Sequence, residues 1–169
     1  MKPHYKATVF MMAAMLSFTF MAIAGRELSN RLDTFEIMMY RSLIGIPIVI
    51  TFGFFFNTLA QIKFERLALH GLRNLFHFSG QNLWFFALTL IPLSQLFAFE
   101  FTTPLWVLIL APIFLNERLT VSRILIVCLG FLGILFILRP GTYSFNFGVI
   151  AASLCALGFA ATFLCTKTL

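Results

Sequence analysis

Charge is scarce in this 169-residue chain: Asp, Glu, Lys and Arg together make 11% of it. A soluble domain carries about 25% charged residues, so water cannot solvate this one all round. Acids are scarcer still, six in all, and Asp33 is the only aspartate. The three His share no metal-ligand spacing with carboxylates, and no glycine-rich phosphate loop follows a strand-like run. Nothing in the sequence therefore points to a metal, a cofactor or an enzyme. Cysteine is limited to Cys128, Cys155 and Cys165. All three sit in apolar stretches without ligand spacing and read as small packing residues rather than a disulfide or metal set.

What the chain has instead is apolar length. Hydrophobic residues make 60% of it, 23 of them Phe, and mean hydropathy is +0.96. Phe in that number suits a lipid-facing surface better than a water-covered core. The net charge of +6 does not mark a nucleic-acid partner, because the basic residues lie singly at the ends of apolar runs. That distribution is a topology signal.

A helix needs about 20 apolar residues to cross the hydrocarbon core. Six stretches qualify, at roughly 7–25, 35–56, 74–91, 94–115, 121–138 and 147–166. The expected fold is an all-α membrane protein, a polytopic bundle of about six transmembrane helices in the lipid bilayer. The first stretch also imitates a signal peptide, with "MKPHYK" ahead of it and "AIAG" at its end. Its length and the five spans after it favour a retained helix. Pro92 and Leu93 predict a tight hairpin between spans 3 and 4, and Pro140-Gly141 a turn between spans 5 and 6.

With the N-terminus cytoplasmic, the inner side collects Lys2, Lys6, Lys63, Arg66, Arg73, Arg118, Arg123 and Lys167. Arg26, Arg31, Arg41 and Arg139 fall outside, an asymmetry that favours this orientation.

A shift of 141 residues lays span 1 on span 6: Leu16 on Leu157, Phe18 on Phe159, Arg26 on Lys167 and Leu28 on Leu169. Five spans precede this restart. An odd number turns the next unit upside down, which is the arithmetic of an inverted repeat.

Glu100 stands inside "FAFEFTTPLW" in span 4. A charge at that depth costs roughly 2.5–3.5 kcal/mol on insertion scales, which makes it a functional candidate by default. Arg41, in span 2, falls at the same depth of about 9 Å by helical rise. The two are expected to pair, and the carboxylate to bind a cationic substrate, exchange protons or simply fix helix packing. On span 3, Asn74, His77, Gln81 and Trp84 share one face, a polar stripe better suited to a wet cavity than to lipid. Trp84 and Trp106 fall near mid-membrane, away from the interfaces where belt tryptophans sit. Each offers packing or a stacking surface to a ligand. Pro104 interrupts span 4 one turn after Glu100 and marks a hinge, or else a kink that Thr102 or Thr103 satisfies. Gly130 and Gly133 in span 5 predict close helix approach.

The stretch Pro92–Gly141 resembles the EamA-type repeat of the drug/metabolite transporter superfamily. The similar elements are Pro104, the Asn116-Glu117-Arg118-Leu119 turn, the Gly130/Gly133 helix and the closing Arg139-Pro140-Gly141. Tyr40–Ile50, "YRSLIGIPIVI", resembles the second helix of that repeat. The resemblance covers about residues 7–141. It implies a first five-helix repeat over residues 1–141 and the first helix of a second repeat over residues 142–169. Full members carry two repeats and ten helices and move small metabolites. This chain departs from them by ending one helix into the second repeat, and by Asn116 where Gly is more usual.

The resemblance implies one half of an inverted-repeat secondary transporter for a small-molecule metabolite, working by alternating access in the bacterial cytoplasmic membrane. It assigns no role to Glu100. The alternatives are a half-transporter or channel active as a homodimer, and a membrane interaction protein that transports nothing.

Overall fold

The computed structural model describes residues 3–59, 65–115, 120–138 and 146–169. Its elements are α1 (Pro3–Leu28), α2 (Thr34–Phe55), α3 (Leu67–Leu90), α4 (Leu93–Glu100), α5 (Thr103–Leu115), α6 (Val121–Leu138) and α7 (Phe147–Thr168). The chain is an all-α membrane protein. Among the described residues four stretches are long and apolar enough to cross a bilayer: His4–Leu28, Thr34–Phe55, Leu93–Leu115 and Phe147–Thr168. Among the other two expected spans, α3 reaches 24 residues but its polar stripe dilutes its hydropathy. The apolar part of α6 is shorter, Val121–Phe136. The Asn116–Leu119 turn and the Arg139–Gly141 closure lie outside the described residues.

Each helix starts or stops for a local reason. Asp33 caps α2 in a capping box: its carboxylate accepts the Glu36 N–H at 2.9 Å, and the Glu36 carboxylate accepts the Asp33 N–H at 2.9 Å. Pro92 ends the α3 segment and caps α4, so the expected hairpin is present. Span 4 is two helices end to end. The break falls at Phe101 and Thr102, ahead of Pro104, so the proline sits in the first turn of α5, where a missing N–H costs little. The Thr102 hydroxyl donates to the Phe99 carbonyl at 2.6 Å and closes the end of α4.

The core forms around α3 and α7, the most extensive helix pair. They run antiparallel. Arg66 donates to the Thr168 carbonyl at 2.6 Å and Arg73 to the Thr166 hydroxyl at 3.1 Å at one end, while Gly148 abuts Leu90 and Ile91 at the other. Between them the backbones nearly touch at Gly80 and Gly158. A Cβ on Gly158 would lie 3.3 Å from the Gly80 Cα and 3.4 Å from the Phe76 carbonyl oxygen. Small residues let helices in lipid approach this closely and gain dispersion contact. The buried face of α7 follows suit, with Ala151, Ala152, Cys155, Ala156 and Ala160.

Of the two span-5 glycines, Gly130 meets the expectation, for a Cβ there would strike the Leu105 side chain at 2.9 Å. Gly133 does not, since among the described residues nothing approaches its Cβ position within 4 Å; three residues advance a helix by about 300°, which leaves it about 60° off the contact face.

Helix α1 is held near one end only. Its buried positions are Ala22 and Gly25. Beside them, Arg26 donates to the carbonyls of Leu88, at 2.7 Å, and Ile91. The Leu88 oxygen lies in the last turn of α3, where Pro92 at i+4 has no N–H to offer, and Ile91 is the extended C-cap residue just beyond the helix.

Candidate functional site

Helices α1, α3, α4, α5 and α7 surround a groove of about 640 Å³, inside the range of about 300–1,000 Å³ usual for small-molecule sites. From α3 it takes His77 and Gln81, and from α4 and the break Phe97, Glu100 and Phe101. Thr103 and Pro104 come from the first turn of α5, and Phe159 and Phe163 from α7. The wall opposite is α1, with Met11, Ala14, Met15, Phe18 and Thr19.

Glu100 is the one carboxylate in this lining. It stands at the last position of α4, where the chain leaves helical geometry, and its Oε2 accepts the Nε1–H of Trp84 at 2.9 Å. Trp84 is 2% exposed. Its ring is fixed by Phe18, centroids 5.6 Å apart, and edge-on by Phe85 at 5.1 Å. The buried indole thus finds the partner its N–H needs, and the carboxylate is held from behind.

The expected ion pair between Arg41 and Glu100 does not form. Among the described residues no acid lies within ion-pair distance of Arg41; its guanidinium sits over the Phe85 ring, 5.5 Å from the centroid. Equal depth fixed the height of both groups but left their azimuth open, and α2 turns Arg41 onto Phe85 of α3. Arg41 is not in the groove, and neither is Trp106.

The polar stripe of α3 divides. His77 and Gln81 line the groove, Trp84 stands behind Glu100, and Asn74 is exposed and bonded to Arg73 at 3.0 Å. His77 packs against Phe159 with centroids 5.7 Å apart, and its Nδ1 is buried without a hydrogen-bond partner. Thr103 is 5% exposed, and its hydroxyl is likewise unpartnered. An unsatisfied buried hydroxyl or imidazole nitrogen costs about 1–3 kcal/mol. Both residues line the groove, although these two atoms are themselves shielded from its open space.

Reasoning from sequence missed the apolar lining. Five Phe side chains and two Met side chains wall the groove, and nothing in composition separates them from the Phe that face lipid. One signal was present: the 141-residue shift that lays Phe18 on Phe159 pairs two residues that both line the groove.

The profile of the EamA-like transporter family matches residues 5–139. Among curated relatives, an S-adenosylmethionine uptake transporter of Rickettsia felis is 34% identical over 140 residues, 82% of this chain and 47% of the relative. Its namesake in Rickettsia prowazekii is 32% identical over 142 residues, with the same shares of each chain. A riboflavin transporter of Brucella anthropi is 32% identical over 108 residues, 64% of this chain and 38% of the relative. The chain spans about half the length of the curated relatives it matches most fully. No solved structure matches.

Proposed function

This chain belongs to the EamA-like transporter family, and from that premise we propose that it is one half of a secondary transporter for small metabolites. The observation that carries the proposal is the groove: a ligand-sized space inside a membrane bundle, apolar on most of its wall and polar at Glu100, Gln81, His77 and Thr103. S-adenosylmethionine and riboflavin, which name the relatives, are the first substrates to try.

In this reading residues 1–141 form one five-helix repeat and α7 opens a second, inverted one. The wall that rocks against the groove during alternating access comes from the rest of that second repeat or from a second copy of the chain. Pro104, in the first turn of α5, is the proposed hinge, and the N-terminus is proposed to face the cytoplasm.

Uptake of radiolabelled S-adenosylmethionine and riboflavin into proteoliposomes tests the reading. The chain should be inactive as a monomer, and saturable uptake should appear when a second repeat or a tandem copy is supplied. Saturable uptake by a demonstrably monomeric chain would show that it needs no second half. No uptake in any arm would remove the transporter reading.

A further inference from the structure

Among the described residues the groove's lining contains a carboxylate and no countercharge. Glu100 is flanked by no Lys or Arg in the lining, and among the described residues it forms no ion pair. Trp84 satisfies Oε2, while no described side chain or backbone group donates to Oε1. We infer that the groove selects small organic cations that carry a flat ring, with Glu100 meeting the positive charge. This deepens the small-metabolite reading of the same groove and rests on it.

Three features of the site converge on that ligand. A carboxylate inside a membrane bundle is stabilised by a partner of opposite sign, and here the bound molecule is the available source. The aromatic wall adds to the attraction, because the negative faces of Phe18, Phe97 and Phe159 favour a cation and also stack on a flat ring. Finally, Gln81 brings a side-chain amide to the lining. That amide gives a hydrogen-bonding point for the ring's heteroatoms or hydroxyls, so the ligand is polar at its rim as well as charged. An anion of the same size is repelled by Glu100, and a neutral ring leaves the carboxylate uncompensated.

Two probes of nearly equal shape isolate the charge. S-adenosylmethionine carries a sulfonium; S-adenosylhomocysteine lacks that methyl group and that charge and keeps the rest. Equilibrium dialysis of each against the purified full chain in detergent should show the sulfonium bound about tenfold or more tightly, and Glu100→Gln should bring the two within about twofold of each other. Equal binding, a preference for the thioether, or binding of neither overturns the inference. So does a preference that survives Glu100→Gln, and so does tighter binding of neutral riboflavin. The wild-type ratio needs no variant, so misfolding of Glu100→Gln leaves the inference testable. Binding is read without transport. A chain that carries nothing yet prefers the sulfonium fails only the transporter reading, and one that transports without preference fails only this inference.

Discussion

The indole N–H of Trp84 in α3 donates to the carboxylate of Glu100 in α4 across 2.9 Å. The bond joins two consecutive helices across the Pro92 hairpin and aims the acid at the groove. A hydrogen bond to a charged group contributes about 1.5–3 kcal/mol. Trp84→Phe keeps the ring between Phe18 and Phe85 and removes only the donor. The expected result is a lower melting temperature in detergent together with a smaller sulfonium-to-thioether binding ratio. A lower melting temperature with an unchanged ratio would show that Trp84 holds the fold without positioning Glu100.

Arg41 and Glu100 have separate surroundings, so their substitutions should be independent. Arg41→Met loses a contact over Phe85 of about 0.5–1 kcal/mol. Stabilities of Arg41→Met, Glu100→Gln and the double variant should add within about 0.5 kcal/mol. A double variant clearly more stable than the sum predicts would mean that the two charges meet.

Gly158 and Gly133 should respond in opposite ways to the same change. Gly158→Ala pushes a methyl group against the backbone at Gly80 and Phe76, atoms that cannot swing aside. Overpacking of that kind costs about 1–3 kcal/mol. Gly133→Ala enters open space and should change stability by no more than about 0.5 kcal/mol apart from a small gain in helix propensity. Thermal unfolding of both variants in one detergent checks the contrast.

Orientation is open to a labelling test. Asn30 lies in the turn between α1 and α2, and Glu65 precedes α3. In a background without native cysteines, Asn30→Cys should react with an impermeant maleimide added to intact cells, and Glu65→Cys only after permeabilisation. The reverse pattern would place the N-terminus outside.

Helix positions were legible in the sequence because span length and hydropathy depend on local residues. The same holds for the Pro92 hairpin and for the interruption near Pro104, although the break itself falls earlier, where Thr102 closes α4 on Phe99. The polar face of α3 was legible from helical spacing alone, and two of its four members line the groove. What periodicity cannot supply is the rotation of one helix about its axis relative to its neighbours. That is why Arg41 was matched to Glu100 by depth and is found on Phe85. Nor can it separate a Phe that faces lipid from one that faces a cavity, since both are apolar and both lie on helices with little amphipathic contrast. Phe97 and Phe163 were invisible for that reason.

The clasp of Arg26 on the carbonyls of Leu88 and Ile91 makes α1 a lever. The helix is gripped from Ala22 to Arg26, while Met11 and Met15, which form the groove's wall, stand on the arm before Ala22, where no described residue is buried. That arm is about 16 Å long from Ala22 to Met11 at 1.5 Å per residue, so a tilt of roughly 10° swings its far end by about 3 Å. The width of the groove at Met11 and Met15 therefore follows the lean of a single rod, and the lining positions nearest the pivot, Phe18 and Thr19, move least.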